Sequence, residues 1–227
     1  MITSRRRTLG LWLLAGGLAS GAGCVTLRSS DAGPPFRGVS IKASDSYQDT
    51  RLLESAWQLP VARAFRQRVD PQNNPSSCGP SSLANIQRSF GGAGTEASVL
   101  QGTGKCWFGI CLGGLTLDEL AEVGRIGTHR DVRVLRDLSY AEFLEQMEQV
   151  NDPKQRVVIN FHRAPLFGEG HGHFSPVGGY LAEQNLVLVL DVNANYKPFL
   201  VDARRLFEAM DTVDASSSKK RGLLIVH

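Results

Sequence analysis

Long apolar runs are missing from this chain of 227 residues: none reaches the 18 or so that a membrane-spanning helix needs. With 42% hydrophobic residues the composition is equally far from that of a disordered chain. No internal repeat is visible, which excludes a repeat architecture. A charge excess is also missing where it would matter. The formal net charge is +3, yet no Asp or Glu precedes Asp31, while Arg5, Arg6 and Arg7 all fall at the start. Setting residues 1–23 aside leaves 22 basic residues against 22 acidic ones, so the body is neutral. That removes the case for a nucleic-acid partner, which needs a basic stripe on the folded domain. The length fits one domain with extensions, or two small ones.

The arginines and the apolar stretch Leu9 to Ala22 have the two parts of an export signal, a positive n-region and a short h-region. Ser20, Gly21, Ala22 and Gly23 then lead to Cys24, which resembles the lipobox of bacterial lipoproteins, with Gly21 where Leu is usual. Arg5–Arg7 also look like a twin-arginine signal. An ordinary cleaved signal with Cys24 merely nearby is the alternative. The expected organisation is a signal peptide at 1–23, a lipid anchor at Cys24 with a flexible tether over 24–50, and a catalytic domain at 51–227. The expected location is the cell envelope, anchored to a membrane and facing the periplasm.

Within the domain, Arg51 to Gln67 has helical apolar spacing broken by Pro60, and Gly79 to Phe90 puts Leu83, Ile86 and Phe90 on one helical face. Thr116 with Glu119, and Ser139 with Glu142, have capping-box spacing and predict helices over 117–125 and 140–150. After Pro153 the texture becomes short aliphatic runs at 156–161, 174–181, 186–192 and 222–226. Helices first and strands second predict an α+β fold, the helical half packed on an antiparallel sheet.

Cys78 follows a breaker-rich stretch and immediately precedes a helix, where the dipole and unpaired N–H groups favour a thiolate. Gly79 would let the backbone approach a substrate, and Pro80 suits a first helical turn. On location alone a buried structural cysteine is equally acceptable. Downstream, His173 opens one strand and Asp191 closes the next, with Glu183–Asn185 as the hairpin turn between them. A thiolate, an imidazole and an orienting carboxylate in this chain order make a papain-like nucleophile set. Gln72, six residues ahead of Cys78, could donate to an oxyanion hole together with the Cys78 N–H. Cys106 and Cys111 are read as a local disulfide closing a Gly-rich loop. His171 and His173 alternate along one strand face and could clamp a metal, the weaker use of His173. The loop Arg163–Gly172 is expected to line the cleft mouth.

The pattern Gln72-x-Asn74-Pro75-x-x-Cys78-Gly79, the block Gly172-His173-Phe174-Ser175-Pro176-Val177-Gly178-Gly179-Tyr180 and the run Leu188–Val192 resemble the catalytic half of the phytochelatin synthases. The similarity runs from Gln72 to the C-terminus; the segment Gly91–Leu115 departs from it. The resemblance implies a papain-like fold, a triad of Cys78, His173 and Asp191, and Gln72 in the oxyanion hole. It also implies that Asp214 and Arg221, with Gly172 beside them, hold the zwitterionic γ-glutamyl end of glutathione. The implied reaction is cleavage of the Cys–Gly bond of glutathione through a γ-glutamylcysteinyl thioester. The acyl group then passes to water or to a second glutathione, the latter being phytochelatin synthesis in metal detoxification. No cofactor is required, and a heavy metal (Cd or Zn) would enter as a glutathione thiolate complex. The resemblance is to the catalytic half alone and not to the Cys-rich regulatory half of the plant members, so hydrolysis is the expected outcome. A papain-like peptidase of the double-glycine type and a non-catalytic binder of thiol peptides or metal thiolates are the competing readings.

Overall fold

The computed structural model describes residues 38–227. The expected signal, Cys24 and the tether as far as residue 37 lie outside the described residues. Among those described, no helix is long and apolar enough to cross a membrane.

The first helices are α1 (Thr50–Trp57), α2 (Pro60–Ala64), α3 (Cys78–Ser89), α4 (Glu96–Leu100) and α5 (Leu117–Thr128). Asp49 starts α1 by accepting the Leu52 N–H at 2.8 Å, and Pro60 starts α2 where its missing N–H costs nothing. The Thr116–Glu119 capping box opens α5 as its spacing predicts. There follow β1 (Val132–Arg136), α6 (Tyr140–Gln149), β2 (Arg156–His162), α7 (Ala164–Phe167), β3 (Gly172–Leu181), β4 (Leu186–Val189) and β5 (Phe199–Asp202). The chain closes with α8 (Ala203–Met210), β6 (Val213–Asp214), β7 (Lys219–Lys220) and β8 (Gly222–Val226). Six strands form one antiparallel sheet in the order β1-β8-β2-β3-β4-β5, and β6–β7 make a separate ribbon.

The sheet is covered on both faces, where the sequence pattern suggested one helical layer. Leu83 and Ile86 of α3 and Leu120 and Val123 of α5 pack with Val158, Leu188 and Leu224 on one side. Phe143 and Met147 of α6 and Leu206 of α8 pack with Val157, Ile159 and Val189 on the other. Alternate residues of β2 therefore enter opposite cores, which is why that strand reads as a continuous apolar run.

Residues 41–49, expected at the end of the tether, belong to the fold. Ile41 and Tyr47 are buried, Tyr47 stacks on Phe199 with ring centroids 5.4 Å apart, and its carbonyl accepts the Leu200 N–H at 2.9 Å. Single apolar residues among Ser and Asp carry no period, so nothing local marked them as core. Gly79 has a different reason from the expected one: a Cβ there would lie 2.8 Å from Leu120 Cδ1, so the glycine serves the packing of α3 against α5.

Candidate active site

Cys78 is the first residue of α3, with no acidic residue in that helix's first turn to oppose a thiolate. It is buried, 8% exposed, against the N-terminal end of β3. Ser82 fastens the two elements there, its Oγ lying 2.7 Å from the Cys78 carbonyl and 3.2 Å from that of Phe174. Pairing of Val177 with Val189 sets Asp191 diagonally across from His173, so the imidazole Nε2 lies 3.0 Å from Asp191 Oδ1. With Nε2 on the carboxylate, the other ring nitrogen is left to the thiol, and Cys78 and His173 each shift the other toward its charged form.

Burial alone would push the Cys78 thiol up. The His173 hydrogen bond, the imidazolium charge, a backbone hydrogen bond at Phe174 and the more distant Arg163 outweigh it and hold the thiol below its usual value. Burial likewise opposes charge on His173, but Asp191 prevails and the imidazole is raised. Asp191 is held low against its own burial by His173, Arg163 and the Asn193 N–H, which donates to Oδ1 at 2.8 Å. The three shifts together favour a thiolate–imidazolium pair beside an ionised carboxylate.

Sequence reasoning missed Arg163. It is buried at the start of α7, and its Nη2 donates to Asp191 Oδ1 at 2.9 Å while lying 2.8 Å from Oδ2, where the angle is too poor for a second hydrogen bond. Its guanidinium stacks 3.8 Å from the Tyr196 ring centroid. Glu96, in the segment unlike the family, was missed as well. Its carboxylate accepts the Asn73 N–H at 2.9 Å, Asn73 Nδ2 at 3.0 Å and Ser77 Oγ at 3.2 Å, bracing the loop that delivers Cys78. No sequence signal identifies either partner, because both contacts join residues distant along the chain.

A cavity of about 300 Å³ opens beside Cys78, and Gly172, Asp214 and Arg221 line it together with Asn160 and Phe174. The β6–β7 ribbon brings Asp214 and Arg221 in: the Arg221 N–H donates to the Thr212 carbonyl at 2.9 Å, and Ser216 N–H caps Asp214 Oδ1 at 3.0 Å. Arg221 is almost fully buried, which lowers its guanidinium to about 10, and its Nη1 donates to Val213 O at 2.7 Å and Thr212 Oγ1 at 3.1 Å. A Cβ on Gly172 would stand 2.8 Å from Arg221 Nη2, so glycine makes the room that Arg221 occupies.

Gln72 lies apart from this cavity. It lines a second one with Arg163, His171 and His173, and its Nε2 donates to the Asn74 carbonyl at 2.7 Å. One amide hydrogen is thus spent within its own loop. Cys106 and Cys111 are disulfide-bonded, and that loop also touches the segment ahead of Cys78 through Asn74 Nδ2 to Gly109 O at 3.1 Å and Cys111 N–H to Ser76 Oγ at 3.1 Å. Among the described residues no group of three or more His, Cys, Asp or Glu could hold a metal ion.

A cysteine at a helix start, facing an imidazole and a carboxylate on an antiparallel sheet, places the chain among the papain-like folds. The fold is shared with a C39-like peptidase of Bacillus anthracis: 13% identical, TM-score 0.51, covering 72% of this chain and 95% of that one. More narrowly, the chain belongs to the phytochelatin synthase family, whose model matches residues 39–223. It is similar to glutathione gamma-glutamylcysteinyltransferase 3 of Lotus japonicus, 33% identical over 116 residues, half of this chain and 24% of that protein. It is also similar to the glutathione gamma-glutamylcysteinyltransferase of Schizosaccharomyces pombe, 27% identical over 184 residues, 72% of this chain and 42% of that one. The matches span less than half the length of these relatives.

Proposed function

We propose that the chain is a thiol acyl enzyme that cleaves the Cys–Gly peptide bond of glutathione. The observation that carries this reading is that one cavity holds Cys78 together with Asp214 and Arg221. A guanidinium suits the α-carboxylate of a γ-glutamyl end, and a carboxylate suits its ammonium.

The Cys78 thiolate attacks the carbonyl carbon of the Cys–Gly bond. The developing oxyanion takes the Cys78 N–H, and Gln72 joins it only by turning its remaining amide hydrogen from the neighbouring cavity toward Cys78. His173, protonated, gives its proton to the departing glycine nitrogen, and the C–N bond breaks to leave a γ-glutamylcysteinyl thioester. Neutral His173 then removes a proton from water or from the thiol or amine of an acceptor, whose attack breaks the thioester and restores the thiolate. Asp191, fixed by Arg163, keeps the imidazole in the tautomer both steps need. The second cavity lies on the His173 side, and the buried Arg163 Nη1, which has no hydrogen-bond partner, suits the carboxylate of an acceptor there. A second glutathione, free or as a cadmium or zinc thiolate, is such an acceptor; with water the product is γ-glutamylcysteine.

The test is incubation of the full chain with glutathione. Glycine and γ-glutamylcysteine should appear in equal amounts, and Cys78→Ala should release neither. Cleavage of a Gly-Gly peptide with glutathione left intact would instead support a double-glycine peptidase. Tight glutathione binding without glycine release would support a binder.

A further inference from the structure

The loop closed by Cys106 and Cys111 carries an apolar surface that the proposed chemistry does not use. Trp107 is 81% exposed, Phe108 96%, Ile110 51% and Leu112 84%. Among the described residues these are four of the seven large hydrophobic side chains that stand out in solvent. No charged residue interrupts the run from Cys106 to Leu117.

The tip is not a slack loop. Besides the disulfide, Trp107 and Ile110 form an antiparallel bridge, with the Ile110 N–H donating to Trp107 O at 2.9 Å. The Trp107 and Phe108 rings meet edge to face with centroids 5.9 Å apart. Gly109 O and the Cys111 N–H are fixed to Asn74 and Ser76, and the Cys111 side is buried. Two aromatic and two aliphatic side chains are therefore held outward on a braced, uncharged support, at a free-energy cost in water that a partner would remove.

We propose that this tip is a membrane wedge, seating the domain on a lipid bilayer with Trp107 and Phe108 at the headgroup level. Trp and Phe on a small uncharged tip suit the interfacial zone, where an apolar body and a polar edge are both accommodated. The occupant follows from the chain outside the described residues. The lipobox-like Cys24 lies 14 residues before Gly38, so a lipid on Cys24 would keep the start of the domain within about 50 Å of the bilayer even fully extended. Within that reach the tether holds the domain close but does not orient it; the wedge supplies the orientation. Gly113, Gly114 and Leu115 follow the tip directly and line the Cys78 cavity, so seating it fixes the height of the cavity mouth above the membrane.

The experiment uses the full chain, purified from an exporting host and mixed with phosphatidylethanolamine/phosphatidylglycerol vesicles, with and without bromine on the acyl chains. In a Trp12→Phe/Trp57→Phe background, Trp107 emission should shift to the blue and lose about half or more of its intensity on brominated vesicles. The Trp12→Phe/Trp57→Phe/Trp107→Phe chain should lack that quenched component. Phe108→Ser combined with Leu112→Ser should weaken vesicle binding of the unacylated Cys24→Ser chain about tenfold or more, with the thermal midpoint unchanged. Labelling with radioactive palmitate reports the anchor separately. Quenching in a chain that carries no label supports the wedge while removing the anchor. A labelled chain on vesicles with water-like, unquenched Trp107 overturns the wedge. So does a lipid-free dimer or a substrate-closed lid that shields Trp107 equally well without vesicles.

Discussion

Arg163 offers the sharpest test of how the candidate site is held together. Its side chain is 6% exposed and that of Asp191 is fully buried, so Arg163→Met leaves a carboxylate in the interior with only His173 and the Asn193 N–H for company. Breaking a buried ion pair by removing one member costs about 3–5 kcal/mol. For a domain of this size that lowers the thermal midpoint by roughly 10 °C. Arg163 also bears on the chemistry with a defined sign. Its positive charge lowers Cys78, His173 and Asp191 alike, so its loss lets all three rise. Both limbs of the pH profile of glycine release should therefore move to higher pH, the acid limb because thiolate forms later and the alkaline limb because the imidazolium persists longer. Arg163→Lys keeps the charge but loses the flat stack on Tyr196, and should recover most of the pH profile with part of the stability. The assay is glycine release from pH 5 to 10 beside thermal unfolding. A stable Arg163→Met with an unmoved profile would refute the reasoning.

Three further outcomes follow from the same contacts. Glu96→Ala removes the acceptor for Asn73 and Ser77 and should lower kcat for glutathione about tenfold with KM little changed, Glu96→Gln recovering part; an equal rise in KM would count against a brace on the nucleophile loop. Gly172→Ala pushes against Arg221 Nη2 and should raise KM several-fold while the alkylation rate of Cys78 by iodoacetamide stays unchanged; an unchanged KM would remove Arg221 from substrate recognition. Because Asp191 is lowered in the folded chain, its stabilising contribution is full above the unfolded value of about 4 and lost as pH falls through the folded value. The wild-type chain should thus lose stability below about pH 4 more steeply than Asp191→Asn, and parallel acid curves would contradict that.

Much of the fold and of the site could be read from local pattern. The capping boxes at Thr116 and Ser139 announced α5 and α6, and the position of Cys78 ahead of Leu83 and Ile86 announced α3. The apolar runs of β2, β3 and β8 were visible because both of their faces are buried. Other elements were hidden for physical reasons. In β1, Arg133 and Arg136 interrupt the apolar residues because that strand lies at the sheet edge. Between β5 and α8 there is no breaker: Asp202 ends one and caps the other by accepting the Arg205 N–H at 3.1 Å. Cys78, His173 and Asp191 could be grouped from their order and one hairpin, whereas Arg163 and Glu96 act across distant loops and announce only their charge. For Gln72 the sequence showed only its spacing from Cys78, not that it would line the neighbouring cavity with its amide already serving Asn74.

The central claim is that Cys78 takes an acyl group from glutathione. Rapid acid quenching of the full chain mixed with glutathione, followed by intact-mass and peptide mass spectrometry, tests it most directly. The account predicts a hydroxylamine-sensitive γ-glutamylcysteinyl thioester on the peptide containing Cys78, formed with the first equivalent of released glycine and missing from His173→Ala. Glycine release with no adduct at Cys78, or an adduct that is a glutathione disulfide with glycine still attached, would contradict it.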